Sequence, residues 1–208
     1  MLQIERSERS RTAILDAALG LFSHRGYGAT SMRDIAGKAG VSTGSVYHHF
    51  ADKEAIFQAL LEQFRAVTQR ADFPINVVLE RGDIFDDFGA LAAAADEVLT
   101  HWRAHLALFY VDAVEFDGRH IQRFYVELAA RFEQFVETHR TRLQLDARFR
   151  DDVPPAQALL FATRAFIYYY SVERIFGVDQ QMGRPTPEAL AVISRILRHG
   201  MLKPGTSA

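Results

Sequence analysis

The sequence predicts an all-α fold of about nine helices: an N-terminal three-helix unit followed by a larger helical domain. Three observations carry this expectation. Apolar residues recur at i, i+3, i+4 and i+7 along most of the 208 residues, the stripe of a 3.6-residue helix. No alternation of apolar and polar residues reaches the length of a useful strand, and no internal repeat stands out. Glycines close short segments in the N-terminal quarter, whereas long periodic segments fill the rest.

The first helix is expected over about residues 7–23, with Ser7 as its N-cap and Ile14, Ala17, Ala18, Leu21 and Phe22 as its buried stripe; Gly26 and Gly28 end it. The second runs from Thr30 to Ala39, capped by Thr30 or Ser31, with Met32, Ile35, Ala36 and Ala39 inward. Gly40 can take the left-handed conformation of a tight turn, which Val41 plugs. The third spans 42–50, with Ser42 as N-cap and Val46 and Phe50 inward. The fourth opens at Asp52 and buries Ile56, Phe57, Leu60, Leu61, Phe64 and Val67. It ends near residue 71, before Phe73-Pro74, because proline disfavours helix in the residue preceding it.

From Pro74 to Gly82 the chain is unpatterned. Asp83 is the expected cap of a helix reaching about His101, and another covers Ala104 to Phe116, stopped by Asp117-Gly118. Arg119 to about Leu145 reads as one long helix. Pro154-Pro155 opens the next, which runs to Phe176, and Thr186 with Pro187 in the first turn opens the last. The tail from Lys203 to Ala208 is expected to fray. This divides the chain into residues 1–52, a connecting helix over 53–71, and a second domain counted from 53 to 208.

Two short helices joined by a glycine turn, with a third before them, form a helix-turn-helix plan. The second helix of the pair must be slim and polar outside to enter the major groove. Its outer face offers Thr43, Gly44, Ser45, Tyr47, His48 and His49. Small residues at its start let backbone approach phosphate, and the helix dipole favours an anion there. Tyr47, His48 and His49 can reach phosphates or base edges.

The run from Thr30 to Phe50, followed by Asp52-Lys53-Glu54, resembles the DNA-binding signature of the TetR repressor family. Its Ile-Ala, Gly-Val-Ser, Tyr-x-x-Phe and Lys-Glu elements stand at that family's spacings. The resemblance covers about residues 7–64. Beyond it, the chain is similar to the family only in being long, helical and aromatic-rich. The resemblance implies that Thr30 and Ser31 hold phosphate at the start of the second helix. It further implies that Thr43, Gly44, Ser45, Tyr47 and His48 lie on the operator, and that Lys53 contacts backbone phosphate; Ser42 and His49 are further candidates for DNA contact. Arg33 is a candidate for phosphate or groove contact.

Composition sets outer limits. Apolar residues make up 49% and charged residues 24%, an ordinary globular balance. The absence of cysteine excludes disulfides, thiolate metal sites and cysteine nucleophiles, and fits a reducing cytoplasm. The opening residues carry no secretory pattern. The most apolar stretch, Ala156 to Tyr170, is interrupted by Thr163 and Arg164 and is too short to span a bilayer, so no membrane role is expected. The net charge of −2 disfavours a protein that coats nucleic acid non-specifically. Residues 1–55 nonetheless carry seven Lys/Arg against six Asp/Glu, a local positive bias. No nucleophile elbow, phosphate-binding glycine loop or H-E-x-x-H motif is present, so an enzyme is not expected and no cofactor is called.

Four features remain. His101 and His105 stand four apart and could chelate a metal, but local sequence fixes no third ligand, although Asp96, Asp112 and Glu115 are near. The simpler reading makes them pocket donors, and no metal is called. Tyr168, Tyr169 and Tyr170 fan around a helix and cannot share a face. The last two helices are apolar almost all round, which predicts a two-fold homodimer through them. The middle helices are dense in aromatics. With polar groups such as His105, Asp112 or Arg131, they suit a cavity for a small, largely hydrophobic effector, with Trp102, His105, Phe109, Asp112, Phe124, Tyr125, Phe166 and Tyr170 as candidate lining.

Overall fold

A computed structural model describes residues 2–82 and 88–204, with side chains from Glu5 onward. Asp83 and Phe85, and with Asp83 the expected cap, lie outside the described residues. The described residues form ten helices: α1 (Leu2–Arg25), α2 (Met32–Ala39), α3 (Thr43–His49), α4 (Lys53–Thr68), α5 (Pro74–Arg81), α6 (Gly89–Glu115), α7 (Gln122–His139), α8 (Leu145–Arg148), α9 (Pro155–Arg174) and α10 (Thr186–Met201). The all-α expectation holds, with α5 and α8 as helices the periodicity did not resolve.

The chain packs as two compact units. One comprises residues 1–67 with 104–122, the other residues 68–103 with 123–208. The sequence placed the division at residue 52. The packing assigns nearly all of α4 and the C-terminal half of α6 to the first unit, because Leu108 is buried with the α1–α4 core. Aromatic contacts extend that attachment. Phe116 lies 4.6 Å from the Tyr27 ring and 5.1 Å from Phe57, and Phe57 lies 5.8 Å from Phe22. Two of these pairs are edge-to-face and the Phe57–Phe116 pair is tilted, and such contacts add to the burial of large apolar surface.

In the first unit, Ile14, Leu15, Ala18 and Phe22 of α1 meet Ile35 and Ala36 of α2, Val46 of α3, and Ile56, Phe57 and Leu60 of α4 in one buried cluster. The expected stripes therefore face one another. Ser7 is not a cap, since α1 begins five residues earlier. Asp52 caps α4 as expected, its Oδ1 accepting from Ala55 N at 2.7 Å.

After Glu115 the chain turns through Asp117 and Gly118, both at positive φ. Asp112 is fully buried. Its Oδ2 accepts from the backbone N–H groups of His120 and Ile121, both at 3.2 Å, and its Oδ1 lies 2.6 Å from His120 Nδ1. That capture delays α7, expected from Arg119, until Gln122. His120 Nε2 faces Glu54 Oε1 at 3.1 Å, and Arg119 Nη2 donates to the same oxygen at 2.8 Å. Glu115 Oε1 accepts from Gly28 N at 3.1 Å.

In the second unit, α5 has Pro74 at its first position and ends on Gly82 at φ 80°, with Ile75 and Leu79 buried. The single helix expected from Arg119 to Leu145 stops at His139, and Gln144 at φ 51° leads into α8. Residues expected as two helices around His101–Ala104 form one, α6, with a non-helical backbone at Trp102. No proline or glycine stands at this kink, which coincides with the change of packing unit; the Trp102 ring lies 5.3 Å from Phe73. The Thr186 hydroxyl donates to Glu173 Oε1 at 2.8 Å rather than capping α10. Lys203 is not frayed. Its N–H donates to Arg148 O at 2.9 Å, beside an antiparallel bridge between Phe149 and Leu202. Among the described residues, no helix is long and apolar enough to cross a membrane.

Candidate nucleic-acid interface

The turn between α2 and α3 is built by backbone geometry. Gly40 stands at φ 68°, a left-handed conformation costly for a residue with a Cβ. Its N–H reaches Gly37 O, and Val41 N reaches Ala36 O at 3.1 Å. This pair of bonds is the Schellman closure, and Val41 packs against the core as its apolar plug. Ser31 caps α2 in a capping box. Its Oγ accepts from Asp34 N at 3.1 Å, and its N–H donates to Asp34 Oδ2 at 2.9 Å. The Ser31 hydroxyl and N–H together hold the Asp34 carboxyl below its ordinary range.

Ser42 caps α3, its Oγ accepting from Ser45 N at 3.1 Å. Val46 and Phe50 are buried and fix the helix from behind. The opposite face is polar and open. Gly44 and His48 are exposed, Thr43, Ser45 and His49 are partly exposed, and Tyr47 keeps 55% of its surface in solvent. A Cβ at Gly44 would meet only Ser42 Oγ, at 3.8 Å. Packing within the chain therefore does not require glycine there.

Two expected phosphate ligands stand elsewhere. Thr30 is buried and its hydroxyl donates to Gly26 O at 2.9 Å, so it shapes the loop before α2 and offers no side chain outward. Lys53 is partly buried. Its Nζ donates to Tyr27 O at 2.7 Å and Thr30 O at 2.8 Å and lies 4.0 Å from the Tyr27 ring centre. An ammonium carries three N–H groups, and these two bonds use two of them. Arg33 is exposed on α2. The sequence reading missed Arg11, exposed on α1, whose guanidinium lies 5.4 Å from the Phe50 ring at the end of α3. Nothing in the local pattern of α1 signals that contact.

The candidate effector residues divide between the units. His105, Phe109 and Asp112 belong to the first and Trp102, Phe124, Tyr125, Phe166 and Tyr170 to the second. Asp112 is consumed by His120, as described above. Phe109 and Phe166 are buried. Burial and the nearby Asp96 carboxylate push the Tyr170 phenol up to about 12. Tyr125 is exposed, with the Arg164 guanidinium 5.2 Å from its ring. His101 Nδ1 lies 3.0 Å from Glu97 O, and among the described residues no group of three or more His, Asp or Glu is placed to hold a metal ion.

Comparison with known proteins agrees with this geometry. Residues 14–60 match the family described as bacterial regulatory proteins, tetR family. The chain is 50% identical over 54 residues to the HTH-type transcriptional repressor KstR2 of Rhodococcus jostii, covering 26% of each chain. It is 42% identical over 57 residues to the HTH-type transcriptional regulator UidR of Escherichia coli K12, covering 27% of this chain and 29% of that one. The matched segment thus spans about a quarter of these relatives' length. Over nearly the whole chain the fold is similar to NalD, the secondary repressor of the MexAB-OprM multidrug efflux pump in Pseudomonas aeruginosa. That match has a TM-score of 0.64 at 22% identity, covering 96% of this chain and 99% of that one. The segment from residue 14 to residue 60 is thus similar to the DNA-binding region of the tetR family of bacterial regulatory proteins, and the chain as a whole shares the fold of NalD.

Proposed function

We propose that the chain is a cytoplasmic transcriptional regulator that binds double-stranded operator DNA as a homodimer and represses until a small-molecule effector releases it. The observation that carries this reading is the outer face of α3, polar and unobstructed from Thr43 to His49 while Val46 and Phe50 anchor the helix from behind. Thr43, Gly44, Ser45, Tyr47 and His48 read the groove, and His49, Ser42, Ser31 and Arg33 bind phosphate. Two such helices in a two-fold dimer engage successive major grooves, about 34–36 Å apart.

Repression as the output draws on relatives named as repressors, KstR2 and NalD. The dimer draws on α9 and α10, where Phe161, Tyr168 and Ile196 are 64%, 62% and 64% exposed. Large apolar side chains at such exposure, on helices expected to be buried all round, suit a subunit interface. An effector that favours a different spacing of the recognition helices weakens DNA binding. By linkage, DNA weakens effector binding by the same factor.

The test is fluorescence anisotropy with duplexes from the protein's own upstream region, against scrambled duplexes, across a salt series. Saturable, sequence-preferring binding at two chains or more per site is the expected result. Equal weak binding to both duplexes overturns the reading.

A further inference from the structure

The second unit contains an open cleft of about 280 Å³ between α5 and α7. That is close to the lower end of small-molecule sites, about 300–1,000 Å³. Its apolar lining is Leu79, Phe132 and Phe135, and the Phe135 ring is stacked on His139 with centroids 4.4 Å apart. Its polar lining includes Gln69, Asn76, Arg131 and Gln134. A purely hydrocarbon ligand would strip water from these amides without replacing its hydrogen bonds.

The charges in the cleft are unevenly answered. Glu80 is engaged twice: His139 Nε2 lies 3.0 Å from its Oε2, and Arg142 Nη2 lies 3.2 Å from its Oε1. Arg131 is held by neutral acceptors. Its Nη1 donates to Thr68 Oγ1 at 3.2 Å, and its Nη2 donates to Thr68 O and approaches Asn76 Oδ1 at 3.5 Å. Asn76 is itself oriented, its Nδ2 donating to Thr68 O at 2.9 Å and Arg70 O at 2.7 Å. Glu127, one turn earlier on α7, accepts from Arg123 Nε at 2.6 Å. Burial holds the Arg131 guanidinium below the ordinary arginine range, and the opposing pull of Glu127 does not cancel it.

A half-buried guanidinium with neutral partners and free donors on its fork, beside an aromatic wall, matches one ligand chemistry. We infer that this cleft takes a small molecule with a flat apolar body and a carboxylate, the carboxylate bridging to Arg131 and the body lying against Phe132 and Phe135. The guanidinium N–H groups that Thr68 and Asn76 do not use suit a charge-assisted hydrogen bond to a carboxylate oxygen. This rests on the reading that the chain answers to an effector, and it narrows the expected class from largely hydrophobic to amphiphilic and anionic.

The probes are benzoate, phenylacetate and indole-3-acetate, with benzyl alcohol and benzylamine as neutral and cationic counterparts, titrated calorimetrically into the full chain. Arg131→Gln removes the charge but also loosens Thr68 and Asn76. Gln134→Glu, at an exposed lining position, adds a negative charge without touching that network. At least one acid is expected to bind the wild type about tenfold or more tighter than the alcohol or the amine, and to weaken by a similar factor in both variants. The inference is overturned if the alcohol or amine binds as well as the acids, or if Gln134→Glu leaves acid binding unchanged. Absence of heat from every acid at about 10 mM also overturns it. Operator anisotropy, run separately, distinguishes the two readings. Acid binding without any sequence-preferring DNA binding supports the cleft and defeats the regulator. Acid binding that leaves an intact operator complex unmoved overturns the acid's role as effector.

Discussion

Lys53 Nζ lies 2.7 Å from the carbonyl oxygen of Tyr27 and 4.0 Å from the centre of its ring. With a second bond to Thr30 O at 2.8 Å, one ammonium closes the loop before α2 onto the start of α4. Hydrogen bonds from a charged donor contribute about 1.5–3 kcal/mol and a cation over an aromatic face about 0.5–2 kcal/mol. Lys53→Met keeps the aliphatic packing and removes both. It is expected to lower unfolding stability by about 2 kcal/mol in urea titration, and to weaken operator binding because α2 loses its entry anchor. An unchanged urea midpoint would mean the clamp carries no net stability.

Gly44 separates folding from recognition. A Cβ there meets only Ser42 Oγ, in ordinary contact at 3.8 Å, so Gly44→Ala is expected to leave the fold intact and raise stability by about 0.5 kcal/mol, from the lower helix propensity of glycine. In the proposed operator complex the added methyl stands where backbone approaches DNA, and affinity should fall about tenfold, or 1.4 kcal/mol. Thermal melts and anisotropy on the same sample read the two effects. A parallel loss of both stability and affinity would contradict the assignment.

His105 stacks on Phe64 with centroids 5.8 Å apart, and burial holds its imidazole below the ordinary 6.5, with Asp16 acting weakly in the opposite sense. The unfolded chain therefore takes up a proton on this residue before the folded chain does. The associated stability is complete above about pH 6.5 and is lost as pH falls through the lower folded value. His105→Phe preserves the stack and removes the titration. Between about pH 7 and pH 5, the melting temperature of the variant should fall less than that of the wild type. Identical slopes would show that the imidazole is not desolvated in solution.

Phe161 and Tyr168 lie seven residues apart on the exposed face of α9, two turns along one stripe. Phe161→Glu with Tyr168→Glu is expected to convert the proposed dimer to a monomer in light scattering at micromolar concentration, while far-ultraviolet circular dichroism stays helical. Wild-type protein that scatters as a monomer would remove the dimer and, with it, the two-fold arrangement of recognition helices.

The legible part of the fold was the part decided over short range. The caps at Ser31, Ser42 and Asp52, the glycine turn at Gly40 and the inward pair Val46 and Phe50 all follow from neighbours within a few residues, where backbone sterics and hydrogen-bond geometry leave little choice. That Tyr168, Tyr169 and Tyr170 do not share a face likewise follows from helical geometry, whereas which of them is exposed, Tyr168, was decided by packing. Helix α5 was missed because eight residues hold little more than one turn of stripe, Ile75, Val78 and Leu79, which is too short for periodicity to stand out. Pro74 at its start and Gly82 at its end were the readable signals.

What the sequence by itself determined is a helical chain with a helix-turn-helix in its first quarter and a polar outer face on the second helix of that pair, α3. Tertiary structure alone decided that Thr30 faces inward, that Lys53 clamps Tyr27 and that Asp112 captures His120. It also decided that Arg131 meets Thr68 and Asn76 across 63 and 55 residues of chain, beside the cleft of the second unit. Periodicity says which face of a helix is buried. It does not say which distant polar group that face will meet, because such a partner is chosen by packing and by the cost of leaving a buried donor or acceptor unpaired.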